Sequence, residues 1–329
     1  MDAKSNRDAP RLTLEGFHTE DDAMAACLRR AKVAAATDLP ILILGESGTG
    51  KTLLAEAIHH SSSRAGAPFV SFNSAALSDT LLDSQLFGHE RGAFTGASTG
   101  VKGKFELADR GTLFIDEVAD LSATAQSKIL RAVEYGEFER LGSEALCRAD
   151  VRLISATHLP LARLVGSDRF RHDLYFRLSG ITLTLPPLRE RPRDLPLLVA
   201  LEVERAARTE RKAIVGLSRT AADRLFEHHW PGNLRELNRV LHTAVALTTT
   251  DMIHSDAVLL EARASKPASD DAAASVSRDD ILTLAEAERR YIASVLERFG
   301  GNKRRTAHAL DVSRSTLDRK LASAAPDDE

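Results

Sequence analysis

Apolar residues along this chain gather into short unbroken runs separated by helical spacings. Residues 41–44 are Ile-Leu-Ile-Leu, which predicts a strand buried on both faces. Leu53, Leu54, Ala57 and Ile58 then recur at helical spacing. Runs at 69–72, closed by Asn73, at 111–117, at 151–158 and at 181–185 predict further strands. Met24, Cys27, Leu28, Ala31 and Ala35 predict a helix over 23–36. Another is predicted over 77–87, with Leu81, Leu82 and Leu86 on one side. Strands alternating with helices predict an α/β domain, a parallel sheet with helices on both faces.

From residue 188 to about 260 the strand signal disappears. Residues 195–208, 219–228 and 233–247 read as helices of a small helical domain, with Trp230 in its core. Residues 263–280 are small, polar and aperiodic, as in a linker. Helical spacing returns over 281–299, 303–310 and 313–322, the last two joined by a tight turn. The predicted organisation is a tail at 1–22, an α/β domain at 23–187, a helical domain at 188–262, a linker at 263–280, an all-α domain at 281–323 and an acidic tail at 324–329. Between 88 and 103 neither period survives, and glycine recurs at 88, 92, 96, 100 and 103. Such a stretch inside a domain is functional or disordered. Phe94, its one aromatic, is expected exposed at a loop tip.

Composition narrows the class. The chain has 329 residues, a net charge of −3, and 43% hydrophobic and 28% charged residues, as in a soluble globular protein. No run approaches the roughly 18 apolar residues of a membrane span, and the first residues lack a signal-peptide core. A cytoplasmic location is expected. The two cysteines, Cys27 and Cys147, lie far apart, as expected of reduced thiols. With the whole chain slightly acidic, any nucleic-acid contact must come from a local basic patch.

The chemistry begins directly after the first strand. Gly45-Glu46-Ser47-Gly48-Thr49-Gly50-Lys51-Thr52 is a complete G-x-x-x-x-G-K-T between a strand and a helix. Its glycines let backbone N–H groups converge on phosphate, and the helix N-terminus adds its dipole. Lys51 would reach the outer phosphates of ATP and Thr52 would hold Mg2+. The strand at 111–117 ends in Asp116-Glu117. Asp116 would hold magnesium through water, and Glu117 would polarise the attacking water.

With these residues in view, the sequence resembles the bacterial enhancer-binding proteins, AAA+ activators of sigma-54 RNA polymerase. The resemblance covers about residues 23–322. It is carried by GAFTGA at 92–97 within LFGHERGAFTGA, by GTLFIDE, FRHDLYFRL, LPPLRER and WPGNLREL, and by GGNKRRTAHALDVSRSTLDRKL, which is similar to a Fis-type helix-turn-helix. In architecture it resembles the phage shock protein F and Hrp-type members, which lack a large N-terminal regulatory domain. The roughly 22 residues before the first helix are mostly polar and too few for a sensor with its own core, so control by a separate inhibitory or co-activator protein is expected.

The resemblance implies a P-loop AAA+ domain, a helical lid, a hexameric ring, upstream enhancer DNA as a partner, and remodelling of the closed sigma-54 holoenzyme complex. It implies that Gly92, Ala93, Phe94, Thr95, Gly96 and Ala97 touch sigma-54. Asn73 matches the switch asparagine that holds Glu117 until nucleotide is sensed. Arg171 and Arg177 match arginines offered to the neighbouring subunit's nucleotide, and Arg235 a sensor arginine of the lid. Three positions depart from the family: Thr52 and Gln85 where acidic residues are common, and His158 where the sensor strand usually ends in asparagine.

Residues 302–321 carry six basic side chains, Lys303, Arg304, Arg305, Arg314, Arg319 and Lys320, against Asp311 and Asp318. Ser313 would cap the recognition helix. Arg314, Ser315, Thr316 and Arg319 would face the groove, and Lys303 to Arg305 would meet phosphate. Two other readings remain open on sequence alone: an ATP-binding DNA regulator that does not remodel polymerase, and an AAA+ motor of repair or replication. The intact hexapeptide argues against the first and the Fis-type module against the second.

Overall fold

A computed structural model describes residues 12–75, 78–260, 296, 302–309 and 317. The chain divides into two compact units, residues 1–260 and 261–329.

In the first unit, five parallel strands form one sheet. They are β1 (Ile41–Leu44), β2 (Phe69–Asn73), β5 (Thr112–Asp116), β8 (Arg152–Thr157) and β9 (Ile181–Thr184), in the order β2-β5-β8-β1-β9. Alternation along each strand sends side chains to two separate cores. Leu42, Phe72, Leu113, Ile115 and Leu153 join one. There they meet α3 (Asp79–Phe87), α5 (Ala123–Tyr135), α6 (Leu161–Gly166) and α7 (His172–Leu178). Ile41, Ile43, Phe114, Ile154, Ala156 and Leu183 join the other, under α1 (Asp22–Ala35) and α2 (Lys51–His60). The sheet is thus covered on both faces, as the unbroken apolar runs require.

Some sequence expectations need correction. Leu53 and Leu81 are half exposed, so the buried stripe of α2 is Leu54, Ala55, Ala57 and Ile58, and that of α3 includes Leu82 and Leu86. Within the glycine-rich stretch, β3 (Gly88–His89) pairs antiparallel with β4 (Val101–Lys102). The short helix α4 (Lys104–Leu107) leads from there towards β5. A second antiparallel ribbon, β6 (Glu137–Glu139) with β7 (Leu146–Arg148), follows α5. Strands of two or three residues are too short to display alternation.

The helical part of this unit contains α8 (Leu195–Glu210), α9 (Arg219–Glu227) and α10 (Asn233–Leu247). Trp230 lies in its core, and its indole N–H donates to Leu225 O at 3.1 Å. Two short parallel strands, β10 (Gly216–Leu217) and β11 (Met252–Ile253), were not expected here. The segment before α1 is tied to the start of α8. Asp194 accepts from the Thr19 hydroxyl and the Glu20 N–H, both at 2.7 Å, and pairs with Arg191 at 2.8 Å.

In the second unit a helix runs Lys303–Ala309, where Asn302 Oδ1 accepts from the Arg305 N–H at 3.2 Å. Lys303, Arg304 and Arg305 are exposed, and Thr306, Ala307 and Leu317 are buried. The predicted linker and the residues Ser313, Arg314, Ser315, Thr316, Arg319 and Lys320 lie outside the described residues.

Candidate functional site

The loop between β1 and α2 turns through two glycines, Gly48 at φ +79° and Gly50 at φ +100°. Residues with a Cβ avoid this left-handed region. Lys51 opens α2 and is 6% exposed. Its ammonium donates to Gly45 O at 2.9 Å and Glu46 O at 3.3 Å. It also lies 3.8 Å from Glu117 Oε1. A cation, a helix N-terminus and left-handed glycines therefore converge in one loop, a donor set suited to a polyphosphate.

Asp116 closes β5 beside Asn73 of β2. Glu117 follows at φ 53°. Ser74 locks this turn, its hydroxyl donating to Asp116 O at 2.9 Å and Glu117 O at 2.6 Å. The two adjacent carboxyls behave oppositely. Burial, reinforced by the neighbouring Glu117 charge, pushes the Asp116 carboxyl up. For Glu117 burial acts in the same sense, but the His158 hydrogen bond and the Lys51 charge outweigh it and hold the carboxyl below its ordinary value. A divalent cation at Asp116 would relieve the repulsion there. With the Thr52 hydroxyl, Asp116 offers the hard oxygen donors that magnesium accepts when it arrives with phosphate oxygens and water.

The structure changes the expectation for Asn73. Its side-chain oxygen accepts from the Ala75 N–H at 2.8 Å. Glu117 Oε2 instead accepts from His158, at 2.8 Å from Nδ1 and 3.3 Å from the backbone N–H. The glutamate is turned towards the end of β8, so the residue holding it is His158.

The lid grips the phosphate loop from the other side. Arg189 pairs both its Nη atoms with Glu46, at 2.7 and 2.6 Å, and this holds the Glu46 carboxyl below its usual value. The Asn233 amide donates to Ser47 O at 3.0 Å and Glu46 Oε2 at 3.2 Å, while its oxygen accepts from the Leu188 N–H at 2.7 Å. Arg235 donates to Ser47 Oγ at 2.8 Å, and the Leu234 N–H to Gly48 O at 2.9 Å. A Cβ on Gly48 would meet Gly232 O at 2.3 Å. Arg235 was expected at this centre. Arg189 and Asn233 sit in motifs visible in the sequence, but their contacts depend on how the lid folds back.

Arg171 and Arg177 are exposed and bond no residue of this centre. Arg171 forks onto Asp173 at 3.0 and 2.7 Å and reaches Ser127 Oγ at 3.1 Å. Arg177 donates to Val133 O at 3.3 Å.

The hexapeptide forms a compact turn between β3 and β4. Gly92 N–H donates to Ala97 O at 2.9 Å and Ala97 N–H to Phe94 O at 3.0 Å. Gly92 and Gly96 are left-handed, at φ +86° and +105°. Thr95 is exposed and Ala97 buried. Phe94 is partly buried, its ring edge-on to His89 at 5.0 Å, because the turn curls it back onto the ribbon. Arg140, just beyond β6, clamps the base of this loop. It donates to both carboxylate oxygens of Glu106 on α4, at 2.8 and 2.7 Å, and to Glu90 at 2.8 Å. Backbone bonds of 3.0 Å run from Glu90 N to Leu141 O and from Leu141 N to Gly88 O.

Family models match along the chain: the sigma-54 interaction domain over residues 17–184, the AAA+ ATPase lid domain over 189–275, and the Fis-family bacterial regulatory protein domain over 283–323. The transcriptional regulatory protein ZraR of Klebsiella oxytoca is 45% identical over 307 residues, 93% of this chain and 68% of that protein. The Nif-specific regulatory protein of Klebsiella pneumoniae is 41% identical over 300 residues, 91% of this chain and 57% of that protein. The crystal structure of NtrX from Brucella abortus in complex with ADP is similar at a TM-score of 0.68 and 33% identity, covering 93% of this chain and 68% of that one. A P-loop α/β domain with a lid, a sigma-54 interaction domain and a Fis-type module lie in one polypeptide: the chain belongs to the sigma-54-dependent transcriptional activators, with an AAA+ ATPase domain and a helix-turn-helix DNA-binding domain.

Proposed function

We propose that this ATPase assembles into a ring, a hexamer, at upstream enhancer DNA and spends ATP hydrolysis on remodelling the closed sigma-54 holoenzyme complex through Gly92–Ala97. The observation that carries this reading is the connection between site and loop. Arg140 joins Glu90 at the loop base to Glu106 on α4. From α4 only residues 108–111 separate that clamp from β5, which ends in Asp116 and precedes Glu117. A change at the β5 end therefore has a short, stiff route to the hexapeptide.

At the site, Lys51 and the loop N–H groups would hold the phosphates, and Thr52 and Asp116 would hold a magnesium ion, which would supply charge neutralisation on the phosphoryl oxygens. Glu117, kept ionised, accepts a hydrogen bond from the attacking water and takes its proton. Arg171 and Arg177 lie on an exposed face, where they serve a neighbouring subunit's nucleotide, and Arg235 reads the nucleotide from the lid. The exposed Lys303, Arg304 and Arg305 meet DNA phosphates. Ser313, Arg314, Ser315, Thr316, Arg319 and Lys320 join them in contacting DNA.

The test is ATP-dependent open-complex formation by sigma-54 polymerase on promoter DNA. Glu117→Gln should bind ATP without turnover and give no open complexes. Thr95→Ala should hydrolyse ATP and still give none. Open complexes at the normal rate with Thr95→Ala would refute the contact role. DNA and ATP binding with no open complexes from the unaltered chain would favour a regulator that does not remodel polymerase.

A further inference from the structure

We propose that residues 12–20 clasp the connector between sheet and lid, and that Thr19, acting through Asp194, is a positioning residue for nucleotide retention. The proposal rests on the phosphate loop at 45–52 being where nucleotide binds. The connector is the run 185–194 between β9 and α8. In its middle Arg189 pairs with Glu46 of the phosphate loop. Asp194 ends it, directly before α8.

An aspartate at this position ordinarily caps its own helix. The Asp194 carboxylate bonds no N–H of α8, whose first turn carries Pro196, a residue without an N–H. It turns back to the segment before α1 instead. Oδ1 accepts from the Glu20 N–H and Oδ2 from the Thr19 hydroxyl, both at 2.7 Å, and Oδ2 also from Arg191 Nε at 2.9 Å. Asp194 is 1% exposed. Burial acts to raise its carboxyl, but the Glu20 N–H, the Thr19 hydroxyl and Arg191 outweigh it and hold the group below its ordinary value. A buried charge of this kind depends on every donor it has, because a lost one is not replaced by water.

The far side of the clasp is anchored in the α/β domain. Leu14 is buried in the core with α1 and α2, and its N–H donates to Ser61 Oγ at 3.0 Å. Thr19 Oγ1 accepts from the Asp21 N–H at 3.1 Å, and Asp21 caps α1 by accepting from the Met24 N–H at 2.8 Å. The Thr19 hydroxyl is therefore a relay: it accepts from the α1 cap and donates to the connector. Serine at 19 can do both, and valine, of the same shape, can do neither. Clasp and Arg189 hold one short connector at two points. Freeing it at Asp194 lets it swing and slackens the Arg189 pair on the phosphate loop.

The experiment compares Thr19→Val, Thr19→Ser and Arg189→Ala in the full chain, singly, with Thr19→Val also combined with Arg189→Ala. Stopped-flow release of a fluorescent ADP is the first readout. Losing a hydrogen bond to a charged acceptor speeds release roughly tenfold in Thr19→Val. Thr19→Ser keeps the original rate within about twofold. In the Arg189→Ala background the valine substitution adds nothing, because Thr19 acts through that pair. The second readout is amide exchange of nucleotide-free protein. In Thr19→Val it quickens at 185–197 and at 45–50 as well as at 12–21, while peptides from β8 keep their rate. Unchanged ADP release in Thr19→Val, a serine variant as fast as the valine one, or an equal further loss in the Arg189→Ala background would each overturn the proposal. So would faster exchange confined to 12–21, a merely local role, or spread through β8, a general loss of stability. ADP binding undiminished by Lys51→Ala would instead remove the reading of the phosphate loop on which it stands.

Discussion

Replacing Arg140 by alanine should loosen the hexapeptide loop while leaving the ATP site working. Arg140 makes two hydrogen bonds to Glu106, whose side chain is 15% exposed, and one to Glu90, which is 45% exposed. The Glu106 fork is the stronger part, since hydrogen bonds to a charged group contribute about 1.5–3 kcal/mol. The exposed Glu90 pair is screened and contributes about 0–1 kcal/mol. Together they anchor the loop base by about 2 kcal/mol, which is roughly a thirtyfold change in a local opening equilibrium. Amide hydrogen exchange resolved by peptide is the assay. Residues 88–103 and 140–142 should exchange roughly thirtyfold faster in Arg140→Ala, while peptides from α10 keep their rate. ATP turnover should hold, because Arg140 bonds no residue of the phosphate loop, and open-complex formation should fall. Arg140→Lys keeps the charge but not the fork, so it should recover only part of the protection. Unchanged exchange at 88–103, or acceleration spread evenly over the sheet, would refute the clamp.

Asp116→Asn should raise the melting temperature of nucleotide-free protein at neutral pH. Burial and Glu117 push the native carboxyl up, so its ionised form costs stability above its folded pKa and the cost vanishes as pH falls through it. The advantage of the variant should therefore shrink in acid, and a gap that widened there would have the wrong sign. Mixing Arg177→Ala with Lys51→Ala protein should restore part of the turnover, since each mixed ring then holds some intact shared sites; no rescue on mixing would count against action in trans. Specific DNA binding should weaken steeply with salt, by a log-log slope of about −0.9 per phosphate neutralised, and a flat response would exclude Lys303–Arg305 as phosphate contacts.

Much of the α/β fold was legible because its strands are buried on both faces and so appear as unbroken apolar runs. Ile41–Leu44 and Thr112–Asp116 are examples, and each leads directly into its chemistry. The two ribbons escaped because β3, β4, β6 and β7 are too short for a period to register. The failure at Leu53 and Leu81 has a different origin: helical spacing identifies residues near one face but not which edge of the stripe meets the sheet. At the site, Lys51, Asp116 and Glu117 were readable because each belongs to a contiguous motif at a helix start or a strand end. The pairs Glu46–Arg189 and Glu117–His158 were not, since they join residues 143 and 41 positions apart through the sheet and the returning lid.

Backbone meets backbone where Gly48 faces Gly232, with no side chain between to absorb movement. Around that contact Arg189, Asn233, Leu234 and Arg235 all take hold of the same short turn. The joint is therefore nearly free of backlash: rotating the lid must drag the glycine turn that opens onto Lys51. Linked equilibria run both ways. If nucleotide biases the lid, then a mechanical load on the lid, from a neighbour or from a resisting promoter complex, must alter how firmly nucleotide is held.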